Sequence, residues 1–522
     1  MNVAFDPWIP VVTSEGVPEL ASLCEVLTKG DRFADLSVRP HERVALMRLF
    51  LCVAHAALNG PKDYNEWREV PKKLPEAVRR YLKEWKESFE LFHKKKPWLQ
   101  ITGLSKNQEE ISKDDLSLWS PVSKLNFSLS TGNNTTFFDH AGMAINRSIS
   151  ISETLVSMIT FQCFSPGGLI SQVYWNNAQT GKSSKDGPCV SASMIHAFLR
   201  GENLLESLRL NLPSYDDIRS SYGNLGIGNP VWECPPGSFS DTAGIANATQ
   251  TYIGRLVPMT RLILLHQAGS KMLLGDGLEY PPYSNGFPPE PSATVLIRKI
   301  AKKEERILLS YRPSRALWRE LSAVVTKRAA NGLGGPLSLC ALQEGEECDL
   351  VVSALARDQA TIVDTSESVF HIPAKLLSAD GHIIYEEEVR NAETVAGRLG
   401  WAIEVYRTEI DGGWEGQLKS AGPAKGALKA KLHSLATVHY WTTVEKNLPL
   451  LMSHIAAIDT DAALPTRDAW RKMLFATACD AFRVACGCES PRRMRAFAKG
   501  FQRLLSEKKA ESDTPEHKEV EA

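Results

Sequence analysis

Apolar and polar positions change their rhythm three times along this chain. Within residues 1–40 they alternate over short runs: Trp8-Ile9-Pro10-Val11-Val12 predicts a strand, Glu15-Gly16 a turn and 20–27 a short helix. Pro40–Leu58 then reads as a helix, with proline at its start and Gly60 just past its end. A second helix, rich in Lys and Glu and lying on the surface, is expected over 74–92. From Lys96 to about Asp380 the rhythm breaks up. Helices over 152–161 and 191–200 alternate with Gly-, Asn-, Pro- and Ser-rich loops, and strand-like runs stand at 293–299 and 306–311. This texture predicts an irregular mixed domain whose loops, more than its core, carry function.

Beyond residue 386 the pattern simplifies. Four helical stretches are expected, over 386–410, 424–455, 466–484 and 491–508, with breaks at Asp411-Gly412-Gly413, 459–465 and 487–491. In the second, Leu428, Leu432, Leu435, Val438 and Trp441 recur at threes and fours and mark an apolar stripe. Short links between four such helices predict an antiparallel four-helix bundle. The expected organisation is therefore α+β: a large mixed domain over 1–380, a bundle over 381–510 and a charged, disordered tail over 511–522.

Composition narrows the function classes. With 522 residues, 43% hydrophobic and 23% charged, the chain has material for two or three cored domains. Sixty Lys and Arg against 61 Asp and Glu leave a formal net charge of −1. Any phosphate binding must then come from local clusters, or be shared with partner subunits. Ten scattered cysteines, several in apolar runs and none in a Cys-x-x-Cys pair, suit a reducing cytoplasm and argue against a disulfide framework or a structural zinc site. No signal peptide is expected. The longest apolar stretch, 44–58, is interrupted by Arg48 and His55 and falls short of the roughly 20 residues a membrane span needs. A soluble cytoplasmic protein is expected.

Candidate chemistry is sparse. Gly181-Lys182-Ser183 suggests a phosphate-binding loop, but Asn176 stands where that motif needs its first glycine. The segment from Lys182 to Pro188 reads as a basic loop or an ordinary solvated turn. Asp139-His140 offers two ligands to a metal-dependent nuclease, yet adjacent side chains of an extended segment point to opposite faces. Two loops carry more: Leu129-Ser130-Thr131-Gly132-Asn133-Asn134-Thr135-Thr136, rich in hydrogen-bonding groups, and Phe164-Ser165-Pro166-Gly167-Gly168, which presents bare backbone after a helix. Glycines let a backbone approach a groove or a phosphate, and they equally often cap a helix. Near the C-terminus Arg492, Arg493, Arg495, Lys499, Arg503, Lys508 and Lys509 face only Glu489 and Glu507, as a phosphate-holding cluster or as a solvated helix face.

Several short motifs, in order along the chain, resemble one family. They are Asp6-Pro7-Trp8-Ile9-Pro10-Val11 with Leu20-Ala21-Ser22-Leu23; Lys96-Pro97-Trp98-Leu99-Gln100; the run from Ser130 to His140; Ser165-Pro166-Gly167-Gly168; Lys185-Asp186-Gly187-Pro188; and Arg357-Asp358-Gln359-Ala360. The series is similar to the large-subunit (CasA) family of the type I-E CRISPR Cascade, an RNA-guided antiviral surveillance complex. The resemblance implies a non-catalytic subunit that recognises a short motif flanking the target in double-stranded DNA, chiefly from the minor groove. It would then help open the duplex for guide-RNA pairing. Ser165, Pro166, Gly167, Gly168 and Lys271 would read the flank. Gln359, with Arg357 and Asp358, would form a wedge at a hairpin tip. Gly132, Asn133 and Asn134 would anchor the subunit at the guide-RNA end. Implied partners are target DNA, guide RNA, the backbone and small subunits of the complex and a helicase–nuclease, with no cofactor and no metal. Some relatives carry a cysteine cluster where Met272-Leu273-Leu274-Gly275 stands here. A nuclease acting through Asp139 and His140, or a purely structural assembly subunit, stands as the alternative.

Overall fold

The computed structural model describes residues 1–106, 119–129, 139, 149–223, 225–300, 303–343, 345–359, 361–410 and 423–506. The chain divides into two compact units, Met1–Leu377 and Ser378–Ala522. The expected tail 511–522 lies outside the described residues, as do Gly132, Asn133, Asn134, His140, Lys508 and Lys509.

Local chemistry starts the first unit. Strand Ile9–Thr13 pairs antiparallel with Pro18–Ala21 and Phe33–Leu36. Leu20 and Ala21 thus lie in a strand, and the short helix begins later, at Leu23–Thr28. Ser22 accepts from the Glu25 N–H while the Glu25 carboxylate accepts from the Ser22 N–H, so both orphan donors at the helix start are satisfied. Helix Pro40–Leu58 has the predicted limits and closes on Asn59 in the left-handed region (φ 47°). Most of its side chains are buried. Its two polar interruptions are satisfied inside: Arg48 Nη1 donates to Glu290 Oε2 at 2.7 Å, and His55 Nδ1 lies 3.0 Å from the Gly60 carbonyl. The next helix runs over Tyr64–Glu84, ten residues earlier than expected, because Asp63 caps it and Trp67 and Val70 extend its buried face through Pro71 and Pro75.

Residues 191–200 are a correction. They form a 3-10 turn, Ser191–Ser193, and a strand, Ile195–Arg200, where a helix was expected. A short, mostly apolar run interrupted only by His196 suits either state; here pairing to Cys348–Asp358 decides, and Ile195 to Leu199 are all buried. Strand Cys348–Asp358 also pairs with Thr361–Ile372, making a long hairpin at the edge of a three-stranded sheet. A second sheet orders Arg261–Leu265, Lys271–Asp276 and Ser120–Pro121.

The second unit is helical: Ala379–Ile410, Pro423–Lys446, Leu448–Ala456, Ala463–Ala485 and Pro491–Leu505. The stretch expected as one helix over 424–455 is divided at Asn447, because Pro449 lacks an N–H and its ring crowds the preceding turn. The buried stripe also differs from expectation. Leu432, Ala436, Tyr440 and Val444 face the core, whereas Leu435 and Val438 are exposed. Alanine and tyrosine supply the contact at four-residue spacing, and small Ala436 permits close approach. On a different helix, Pro491–Leu505, Gly500 also marks a close approach: a Cβ there would stand 2.8 Å from the Ala402 carbonyl oxygen and 2.6 Å from Phe482 Cζ.

Candidate nucleic-acid interface

The glycine loop begins where helix Ile151–Phe164 stops. Ser150 and Glu153 box its N-terminus, and Ser165, in extended conformation, is the C-terminal cap, its N–H donating to Phe161. The glycines are therefore not the helix cap. Ser165 is buried, its hydroxyl 3.2 Å from Thr260 Oγ1 and its carbonyl accepting from the Gly187 N–H at 2.8 Å. It anchors the loop from the interior. Gly168 takes φ 151°, which side-chain-bearing residues rarely adopt, and pairs with Ser184 in a short ribbon. Leu169 beside it is 95% exposed.

A buried arginine holds this loop. Arg261 donates through Nη2 to the Pro166 carbonyl at 2.9 Å and through Nη1 to the Lys185 and Thr260 carbonyls at 3.0 and 2.7 Å. Burial pushes its guanidinium down to about 10, an effect the carboxylates of Asp276 and Asp186 oppose. Irregular backbone has no ladder to satisfy its carbonyls, and a guanidinium with five donors can serve several at once. Gly187 permits the return path: a Cβ there would lie 2.5 Å from the Cys163 carbonyl oxygen.

The wedge candidates occupy the tip of the long hairpin. Asp358 pairs with Thr361, so only two residues join the strands, and the first of them, Gln359, has φ 51°. A bulge between Ala356 and Arg357 inserts Val363 into the facing strand and re-aims Arg357. Strand Cys348–Asp358 is buried through its middle and exposed at Asp358, and Gln359 is exposed too.

The two features meet through one ion pair. Arg357 reaches Asp186 in a bidentate fork, Nη1 to Oδ1 at 2.9 Å and Nη2 to Oδ2 at 2.5 Å. Asp186 Oδ1 also accepts the Gly167 N–H at 2.8 Å, while Arg357 Nη1 donates to the Gln359 carbonyl at 3.1 Å. Asp186 and Arg357, 171 residues apart in sequence, thus join the glycine loop to the hairpin tip.

Lys271 stands elsewhere. It begins strand Lys271–Asp276, whose far end pairs with Arg261, roughly 16 Å along the strand at 3.3 Å per residue. Lys271 is the partner of Pro121, and Lys124 follows in the turn Val122–Leu125, its Nζ 3.2 Å from Ser120 Oγ. Lys106 Nζ donates to the Gln172 carbonyl at 3.2 Å. Burial lowers the Lys124 and Lys106 ammonium groups, and the charge that adds to burial is in each case another lysine, Lys271 on Lys124 and Lys124 on Lys106. Such a cluster is suited to an anion.

Other candidates resolve differently. Ser183–Ser184 is a strand, so no helix follows Gly181-Lys182-Ser183 to cradle phosphates. On helix Pro491–Leu505, Arg493 pairs with Glu489 at 2.9 Å and both Lys499 and Arg495 with Glu409. Among the described residues no group of three His, Cys, Asp or Glu side chains is arranged to hold a metal, and no described helix is long and apolar enough to cross a membrane.

The model of the family "CRISPR-associated protein Cse1" matches residues 2–481. The chain belongs to the Cse1 family. A CRISPR-associated protein CasA/Cse1 of Thermus thermophilus is 27% identical, the alignment covering 97% of each chain. Crystal structures of Cse1-family proteins share the fold. CasA of Thermus thermophilus superposes with TM-score 0.73 at 23% identity, covering 97% of this chain and 98% of that one. Cse1 of Acidimicrobium ferrooxidans superposes with TM-score 0.74 at 19% identity, over 97% and 96%. A chain of a CRISPR RNA-guided surveillance complex superposes with TM-score 0.67 at 20% identity, over 97% and 99%.

Against that Cse1 background, sequence reasoning passed over Arg261, Lys106 and Lys124, and named Asp186 only within a motif, with no role. A signal existed for Arg261, a charge opening the aliphatic run Leu262-Ile263-Leu264-Leu265. For Asp186 the motif Lys185-Asp186-Gly187-Pro188 marked the place but not the ion pair.

Proposed function

We propose that this chain is a non-catalytic subunit of an RNA-guided surveillance complex, reading the short motif that flanks a double-stranded DNA target and starting the duplex opening. The observation that carries this reading is the fastening of a backbone-presenting loop, 166–168, to an exposed hairpin tip, Gln359, through Asp186 and Arg357. Bare backbone suits the minor groove, which is only about 6 Å wide and offers a degenerate pattern. A protruding turn beside it suits insertion between base pairs, where unstacking costs a few kcal/mol per step. Lys271, with Lys124 and Lys106, supplies the cationic surface for backbone phosphates. With a net charge of −1, most of the DNA affinity comes from the assembled complex. Gly132, Asn133 and Asn134 anchor the guide-RNA end, and other surfaces meet the backbone and small subunits and the helicase–nuclease.

The test is strand opening by the reconstituted complex, followed with a base-unstacking fluorophore beside the flank. Gln359→Ala should slow opening at least about tenfold, the equivalent of ~1.4 kcal/mol in the barrier, with assembly intact. Normal opening by that variant would favour a purely structural subunit. Unaided cutting of DNA that stops in chelator would favour a nuclease acting through Asp139 and His140.

A further inference from the structure

We infer that the Asp186–Arg357 pair is a positioning device that holds the wedge at a set offset from the flank-reading loop, so that reading and opening occur in register. The inference rests on the functional reading above and adds a role for two side chains that touch no reacting atom. Each partner region has its own anchors. Arg261 and Ser165 hold the glycine loop. Sheet pairing and the Arg357 N–H to Ser193 Oγ bond, 3.2 Å, hold the hairpin. The ion pair is therefore not what keeps either region in place; it relates one to the other. A bidentate fork sets orientation as well as distance, which a point charge does not. Both ends of the fork continue into backbone: the carboxylate into the Gly167 N–H, the guanidinium into the Gln359 carbonyl. Partial exposure, 21% for Arg357 and 32% for Asp186, leaves the link at the surface that DNA would meet.

The experiment compares wild type, Arg357→Lys, Arg357→Ala, Asp186→Asn and Gln359→Ala in the reconstituted complex. The probes are a fluorophore-bearing duplex, its flank selected from a randomised pool, and the same duplex with its first target positions mismatched into a bubble. Arg357→Lys keeps the charge and loses the fork. It and Arg357→Ala should slow opening of the paired duplex by about fivefold, the size of a well-formed, partly exposed ion pair. Binding of the bubble should stay at the wild-type level, and the unstacking signal should spread over neighbouring positions. Asp186→Asn combined with Arg357→Lys should be no slower than the more impaired single variant, as expected for groups acting as one unit. Equal loss on paired and bubble DNA would reduce the pair to a fold staple and overturn the inference. So would wild-type opening by Arg357→Ala while Gln359→Ala fails to open. If Gln359→Ala opens DNA normally, the functional reading itself falls and the inference falls with it.

Discussion

The two units solve one problem, satisfying buried backbone, by different means. In the helical unit the backbone satisfies itself, and buried Arg407 pairs locally with Glu404 one turn away, Nη2 to Oε2 at 2.7 Å. In the mixed unit buried arginines answer carbonyls near the ends of short helices and in irregular backbone. Arg48 donates to the Leu256 carbonyl at 3.0 Å, Arg255 to Thr249 at 2.8 Å, and Arg328 to Gly335 at 2.9 Å. One carboxylate balances two of them, Glu290 accepting from Arg48 at 2.7 Å and from Arg255 at 2.6 Å. The mixed unit thus carries an interior of costly charges, whereas the bundle rests mainly on apolar packing.

Acid should expose this contrast most strongly. Burial holds the imidazoles of His41, His55 and His196, all in the mixed unit, down to about 3, 4 and 4. Unfolded, each takes up a proton near 6.5, so stability is complete above that pH and falls as pH drops from 6.5 toward 4. The loss by pH 5 should reach up to about 2 kcal/mol per histidine. Glu290, held near 2 by its two arginines against the pull of burial, adds a loss between pH 4.5 and 2. Hydrogen exchange read separately in the two units would show it. Equal stability of the mixed unit at pH 7 and pH 5 would break the comparison.

Next in size is Glu290→Gln, which leaves Arg48 and Arg255 buried without their counter-charge. A loss of about 3–5 kcal/mol is expected in urea unfolding of the mixed unit. A change under about 1 kcal/mol would mean that the carbonyls alone hold the arginines.

Glycine replacements sharpen the comparison at smaller scale. Gly187→Ala drives a Cβ into the Cys163 carbonyl and should cost about 1–3 kcal/mol. It should also weaken flank binding. Gly397→Ala, exposed in helix Ala379–Ile410 with nothing within 4 Å, should instead raise stability by about 0.5–1 kcal/mol. Thermal melts of both variants would check the opposite signs.

The same division governs what could be read from the residues. Helix Pro40–Leu58 was legible to its limits, because the proline at its start, the apolar run within it and Gly60 just past its end all point one way. The bundle was legible as helices but not in its seam: Leu435 and Val438 are apolar yet exposed, and Ala436 and Tyr440 do the packing. Strand Ile195–Arg200 was misread because only its partner, Cys348–Asp358, decides between strand and helix. Of the candidate site, the loop at 165–168 and the tip at 357–359 were visible as motifs. Their junction was not, since Asp186 and Arg357 lie 171 residues apart.

By itself the sequence determined the mixed-then-helical order of the chain, the limits of helix Pro40–Leu58 and the turn-prone segments, because these follow from local sterics and composition. Tertiary structure alone decided which apolar faces are buried, that Arg261 reaches the Pro166, Lys185 and Thr260 carbonyls, and that one carboxylate ties the glycine loop to the hairpin tip. Those are relations between distant residues. Their energies depend on desolvation and geometry that exist only once the chain has closed around them.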